Sequence, residues 1–160
     1  MYRNILVPLD GSRIAESILP CVSSLARVHG AKVTLLGVMR TIGAGSPKPP
    51  ISGERRDARL MRYLQGVAIF LGLGDVEAEP VVVCGDDPGQ ILTQAREFGC
   101  DFVALLVHEN ASLGRGILGT MADALLGQSD PSLILVFPEG ARDRWEATLV
   151  IDARRGSAAQ

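Results

Sequence analysis

Residues 112–120, SLGRGILGT, are the part of the sequence best suited to hold a phosphate. They follow an apolar run, 101–107, and precede a helical pattern that begins at about Thr120. A glycine-rich turn between a strand and a helix presents backbone N–H groups to an anion. The second candidate is Asp10, in the turn Asp10-Gly11-Ser12 after the apolar run 4–9. Ligands bind at the carboxyl ends of the strands of open α/β sheets, so both segments predict one site there.

No catalytic or metal-binding constellation accompanies these segments. The chain lacks a Gly-x-Ser-x-Gly elbow, a full Walker loop and a His-Glu-x-x-His pair. The cysteines at 21, 84 and 100 are odd in number and have no Cys-x-x-Cys spacing, which favours buried free thiols over a disulfide or metal site. We therefore expect no catalytic residue and no metal ligand, and a binding protein is favoured over an enzyme.

Composition bounds the class of protein. The chain has 160 residues, of which 47% are hydrophobic, 21% charged and 4% aromatic, with a formal net charge of -2. This is enough for one domain with a substantial core, and it disfavours nucleic acid as a partner, which needs positive charge or stacking aromatics. No apolar run approaches the roughly 20 residues that span a bilayer, and no signal peptide is recognisable. A cytoplasmic protein without membrane contact is expected.

Apolar runs and helical patterns alternate along the chain. Such alternation predicts a doubly wound parallel sheet of five strands with helices on both faces. Pro20 lies inside the first helical pattern and predicts a kink there. The predicted strands are 4–9, 32–38, 76–84, 101–107 and 132–137, and the predicted helices are 12–29, 54–71, 87–98 and 120–126.

The last part of the chain differs from the rest. Residues 1–138 form the predicted α/β domain, and the sequence then turns polar. A short apolar run at 148–152 predicts one appended strand, followed by a tail. We therefore expect a C-terminal arm over 139–160.

Four segments together resemble the universal stress protein family. They are Pro8-Leu9-Asp10-Gly11-Ser12, Gly37-Val38, Gly85-Asp86-Asp87-Pro88 and residues 113–120, LGRGILGT. The resemblance covers about residues 1–138 and implies a Rossmann-like fold. It also implies homodimerisation through the last strand, Ser132 to Phe137, and, in one branch of the family, binding of ATP with magnesium.

The same resemblance implies a set of nucleotide-binding positions. Asp10 would receive the ribose hydroxyls or help hold a metal, and a capping role with Ser12 explains it equally well. Thr120 would bind a phosphate or simply cap its helix, and Val38 would contact adenine through its backbone or only pack at its strand end. The implied positions are Pro8, Asp10, Val38, Leu105, His108, Arg115, Gly119 and Thr120.

The glycine pattern that wraps the triphosphate in that branch is degenerate here. Its closing pair is present as Gly119-Thr120, whereas the two preceding glycine positions fall on Leu106 and Glu109. Side chains there restrict the approach of a phosphate, and the Glu109 charge repels it by about 4 kcal/mol per unit charge at ~4 Å and an effective dielectric of ~20. Arg115 offsets part of this with a bidentate fork. ATP binding is therefore predicted to be weak or absent.

Three functions are compatible with these observations. The first is a regulatory binding module of the stress response, as the resemblance implies, with weak or absent ATP binding. The second is a nucleotide-gated switch or slow ATPase in which Arg115 and the loop 41–53 replace the missing glycines. The third is a structural dimerisation module whose arm, 145–151, pairs across a partner, because an exposed edge strand invites pairing.

Overall fold

The structure is a computed structural model that describes residues 2–39, 53–85, 87–106, 125, 132–136, 149–152 and 157–159. Strands and helices alternate through most of this range, as the periodicity predicts. Their order is β1 (Asn4–Pro8), a 3-10 turn (Ala15–Ile18), α1 (Leu19–His29), β2 (Lys32–Met39), α2 (Gly53–Gly72), β3 (Ala78–Cys84), α3 (Asp87–Glu97), β4 (Phe102–Leu106), β5 (Ser132–Val136), β6 (Leu149–Asp152) and β7 (Ser157–Ala159).

All of the described strands belong to one sheet, in the order β3-β2-β1-β4-β5-β6-β7. The first five strands pair in parallel, β1 with β2 and β4, β2 with β3, and β4 with β5. The predicted five-stranded parallel sheet is confirmed. The strands β6 and β7 extend it in antiparallel pairing, so the region after residue 138 adds a second strand that the sequence did not predict.

Helices cover both faces of the sheet. Side chains of β1 alternate between the faces: Ile5 and Val7 lie in a core with α1 and α2, and Leu6 lies in a second core with α3. All three side chains are buried. Leu125, the only described residue between 106 and 132, is helical and lies in the second core, which we call the α3-side core. This arrangement is the doubly wound fold that the alternation predicted.

The first helix differs from its prediction. The Oγ of Ser12 accepts a hydrogen bond at 3.1 Å from the N–H of Ala15, the first residue of a 3-10 turn and not of an α-helix. The α-helix begins only at Leu19, which places Pro20 in its first turn. A proline ring there needs no N–H donor and does not meet a preceding carbonyl. The predicted single helix over 12–29 with a kink at Pro20 is therefore wrong, because α1 starts only one residue before the proline.

Gly37 allows α2 to lie close against β2. A Cβ atom at this position would come within 2.6 Å of Leu60 Cδ2 and 3.2 Å of Leu64 Cδ1. Leu64 is fully buried, so the contact is part of the core between helix and sheet. The absence of a side chain at Gly37 thus sets the distance between α2 and the strand that leads to Val38.

The remaining predictions have mixed outcomes. The cysteines of the described chain are free, but only Cys100 is buried; Cys21 is half-buried and Cys84, at the end of the edge strand β3, is exposed. The prediction that every cysteine is buried is therefore wrong for Cys84. Among the described residues, no helix is both long enough and apolar enough to cross a membrane. The domain boundary at residue 138 stays a prediction.

Candidate functional site

The candidate site lies at the carboxyl ends of β1, β2 and β4. The strand β1 sits between β2 and β4, and the chain winds outward from it in both directions. The register that pairs Pro8 with Leu36 and Leu6 with Val103 places Pro8 level with Leu105 on the other neighbour. Such a reversal of strand order opens a crevice beyond the strand ends. Four of the predicted positions, Pro8, Asp10, Val38 and Leu105, belong to this edge.

Asp10 shapes the turn that leaves β1. Its Oδ1 accepts the N–H of Ser12 at 2.8 Å, and Gly11 between them has φ 86°, a left-handed conformation that favours glycine. The N–H of Leu9 is held by the carbonyl of Leu36 at 2.8 Å, which keeps the strand paired up to the turn. Asp10 itself is exposed. It therefore closes the turn with Oδ1 at the exposed carboxyl edge of the sheet.

Tyr63 on α2 is a site residue that the sequence analysis missed. Its hydroxyl oxygen is buried and meets no hydrogen-bond partner of good geometry within the described chain, although the Glu16 carboxylate lies beside it. Burial, then the charge of Glu16, a hydrogen-bonding interaction with Glu16 and finally the charge of Asp10 raise the pKa of Tyr63 well above its usual range. The one signal in the sequence was a tyrosine next to Leu64 in the apolar stripe of α2.

These groups give the edge a defined chemistry. The Tyr63 hydroxyl is protonated at neutral pH, as any tyrosine of ordinary or raised pKa is, and the acceptor beside it is the Glu16 carboxylate. The two charges that act on it, Glu16 and Asp10, are both negative. A ligand with several negative charges is disfavoured beside them, because like charges at short range repel.

Val38 and Leu105 supply apolar side chains on the α3 side of the sheet. Leu105 is 6% exposed and belongs to the α3-side core, and Val38 is half-buried and packs against the same core. Packing therefore accounts for both side chains, and a role in ligand binding stays a prediction for each. Pro8 is half-buried at the end of β1.

The other half of the predicted site cannot be placed. His108, Arg115, Gly119 and Thr120 lie outside the described residues, as does Glu109. Leu106, the first of the two positions where glycine was expected, is the last residue of β4 and packs against the core formed with α1 and α2. The convergence of positions 10 and 119 on one crevice remains a prediction. Within the described chain, no group of His, Cys, Asp and Glu side chains could hold a metal ion.

A parallel sheet wound in both directions from β1, with a polar turn at its carboxyl edge, defines a Rossmann-like α/β protein. Residues 1–136 match the sequence profile of the Universal stress protein family, and the chain belongs to that family. The resemblance suggested by the sequence motifs is thereby confirmed. A search of curated proteins found no match.

Solved structures of the same fold agree. A universal stress family protein from Burkholderia pseudomallei superposes with a TM-score of 0.67 at 22% identity, covering 84% of this chain and 96% of its own. A universal stress protein in complex with cAMP superposes with a TM-score of 0.65 at 16% identity, covering 85% of this chain and 97% of its own. The universal stress protein from Archaeoglobus fulgidus in complex with dAMP superposes with a TM-score of 0.61 at 19% identity, covering 84% of this chain and 97% of its own. At these identities the similarity establishes the fold.

Proposed function

We propose that this chain is a cytoplasmic regulatory binding module of the stress response that takes an adenine mononucleotide at the carboxyl edge of β1 in preference to ATP. The observation that carries the proposal is the pair of carboxylates, Asp10 and Glu16, whose charges both act on the Tyr63 hydroxyl. Membership of the universal stress protein family and the cAMP and dAMP complexes of two structural neighbours support the ligand class.

The preference follows from charge. A nucleoside monophosphate brings at most two negative charges to this edge, whereas ATP brings up to four. Repulsion by a fixed carboxylate grows with the charge of the ligand, so Glu16 penalises the triphosphate more than the monophosphate. Asp10 is exposed at this edge, and its carboxylate is an acceptor for the ribose hydroxyls.

Isothermal titration of the protein with AMP and with ATP, each without and with magnesium, tests the proposal. We expect measurable AMP binding, weaker ATP binding, and loss of AMP binding in Asp10→Ala. Neutralising the second carboxylate in Glu16→Gln should tighten ATP binding about 5-fold, corresponding to ~1 kcal/mol, and change AMP binding less. Asp75→Asn is the matched control, since Asp75 precedes β3 at the amino edge of the sheet and tolerates the left-handed conformation, φ 59°, as asparagine.

The titrations separate this proposal from its competitor. Submicromolar ATP affinity in the unaltered chain, abolished by Asp10→Ala and by Gly119→Val, would assign the chain to the ATP-binding branch and overturn the preference proposed here. Copurified nucleotide, released by heating and resolved by anion exchange, gives an independent identification of the base and the phosphate number.

A further inference from the structure

The outer edge of β5 is covered by a strand of the same chain. The strand β6 runs antiparallel to β5, with Leu133 opposite Ile151, Ile134 opposite Val150 and Leu135 opposite Leu149. The strand β7 then pairs antiparallel with β6, so the two strands form a β6–β7 hairpin at the end of the sheet. The hydrogen-bonding edge of β5 is therefore already used within one molecule.

A second copy of the chain would present much the same strand to this edge. At this end of the sheet, two copies related by a two-fold axis would join their sheets by pairing β5 with β5 in antiparallel direction. The strand β6 lies in that direction and offers Leu-Val-Ile at its paired positions, where a second β5 would offer apolar residues drawn from Ser132–Val136, SLILV. In direction and residue type, β6 takes the place of the second copy.

The edge exposed by the hairpin is a poorer template. The strand β7 has three residues, Ser157–Ala159, all with small side chains. Short edge strands pair weakly with other chains, and this is one way in which proteins limit sheet-to-sheet association. The edge at the other end of the sheet, β3, contains Pro80, which lacks a backbone donor. With the hairpin seated, neither end of the described sheet favours extension by another copy.

We propose that the β6–β7 hairpin is an intramolecular cap on β5, and that a second copy of this chain binds the β5 edge only when the cap is displaced. Homodimerisation through residues 132–137, as the family resemblance implied, then competes with β6 for one edge. The proposal does not depend on which nucleotide binds at the carboxyl edge of β1.

A cross-strand disulfide tests whether the cap pairs within its own chain. Opposite positions in an antiparallel pair have Cα atoms about 4.5–5.5 Å apart, within the range that a disulfide spans. Ile134→Cys with Val150→Cys, in a Cys84→Ser background that removes the exposed thiol, should oxidise to a cross-linked monomer on a non-reducing gel. Each single substitution in the same background is the control. A covalent dimer from the double variant alone would show that β6 is exchanged between copies and would overturn the proposal.

Displacing the cap tests whether a second copy then binds the β5 edge. Val150→Pro removes a backbone donor from the centre of β6, and Val150→Ile is the control that keeps a strand-forming residue there. By light scattering, the unaltered chain and Val150→Ile should have the mass of one chain, 17.0 kDa, and Val150→Pro should have twice that mass. Circular dichroism confirms that each variant is folded. The cap is refuted if a folded Val150→Pro variant stays monomeric. It is also refuted if the unaltered chain is already a dimer and Val150→Pro leaves that dimer unchanged. If Val150→Pro does not fold, deletion of residues 149–160 is tested instead: a dimer by light scattering supports the cap, and a folded monomer refutes it.

Discussion

Adding one methyl group should have opposite effects at two glycines of this fold. Gly37→Ala places a Cβ atom 2.6 Å from Leu60 Cδ2 and 2.8 Å from Leu60 Cγ, where carbon atoms normally approach to about 3.5–4.0 Å. Gly66→Ala, in the middle of α2, places its Cβ atom where nothing lies within 4 Å, on an exposed position. The same chemical change is therefore compared in a tight contact and in open space.

The magnitudes decide the sign. Overpacking of a core contact costs about 1–3 kcal/mol. Replacing a strand glycine by alanine stabilises by only ~0.5–1 kcal/mol, because alanine loses less conformational entropy on folding, so the overpacking is the larger effect. Alanine in place of glycine in an exposed helix stabilises by about 1 kcal/mol. For a chain of this length 1 kcal/mol moves Tm by roughly 2–4 °C. We expect Gly37→Ala to melt several degrees below the unaltered protein and Gly66→Ala a few degrees above it, by circular dichroism and by urea midpoint.

A double-mutant cycle identifies the contact responsible. If the Leu60 side chain is what the new methyl group meets, Gly37→Ala should cost clearly less in a Leu60→Ala background than alone. A Gly37→Ala variant as stable as the unaltered protein would contradict the close approach of α2 to β2. So would a cost that Leu60→Ala leaves unchanged.

Three further outcomes follow from single side chains. Asp101→Ala should lower the free energy of unfolding by about 1–3 kcal/mol in urea titrations, because Asp101 Oδ2 accepts two backbone N–H groups at the start of β1, at 2.7 and 3.1 Å. An unchanged urea midpoint would mean that water satisfies these N–H groups in place of the carboxylate. Burial raises the pKa of the Cys100 thiol to about 11. A thiol reagent at pH 8 should therefore modify exposed Cys84 rapidly and Cys100 only on unfolding. The fast phase due to Cys84 should be absent in Cys84→Ser. Tyr63→Phe should leave Tm nearly unchanged at pH 7, since it removes a buried hydroxyl that lies beside Glu16 but makes no hydrogen bond of regular geometry. The raised pKa of Tyr63 makes stability fall as pH rises above its unfolded value of 10.0, and the variant should lose that part of the alkaline decline; equal alkaline slopes would argue against the burial of the hydroxyl.

Much of the fold was predictable because its signals are local. The apolar runs 4–9, 32–38 and 101–107 match the strands β1, β2 and β4 to within one residue at each end. Gly30 ends α1 in the left-handed conformation, φ 61°, that is typical of a helix stop. The placement of Asp10 at a strand end also followed from the sequence, because the turn Asp10-Gly11-Ser12 interrupts the apolar run directly. These features depend on residues a few positions apart, which periodicity can detect.

Other features depend on residues far apart in the chain, and periodicity carries no information about them. The Tyr63 hydroxyl faces Glu16 only because α2 packs beside the turn that precedes α1, and Gly37 matters only because Leu60 lies over it.

The sequence by itself determined the strand and helix order and the family, and it predicted the carboxyl edge as the place for a ligand. The tertiary structure alone decided which side chains face that edge and which strand covers β5. The apolar run at 148–152 predicted a strand but not its neighbour, because strand pairing is chosen by register and by the edges left free after the rest of the sheet has formed.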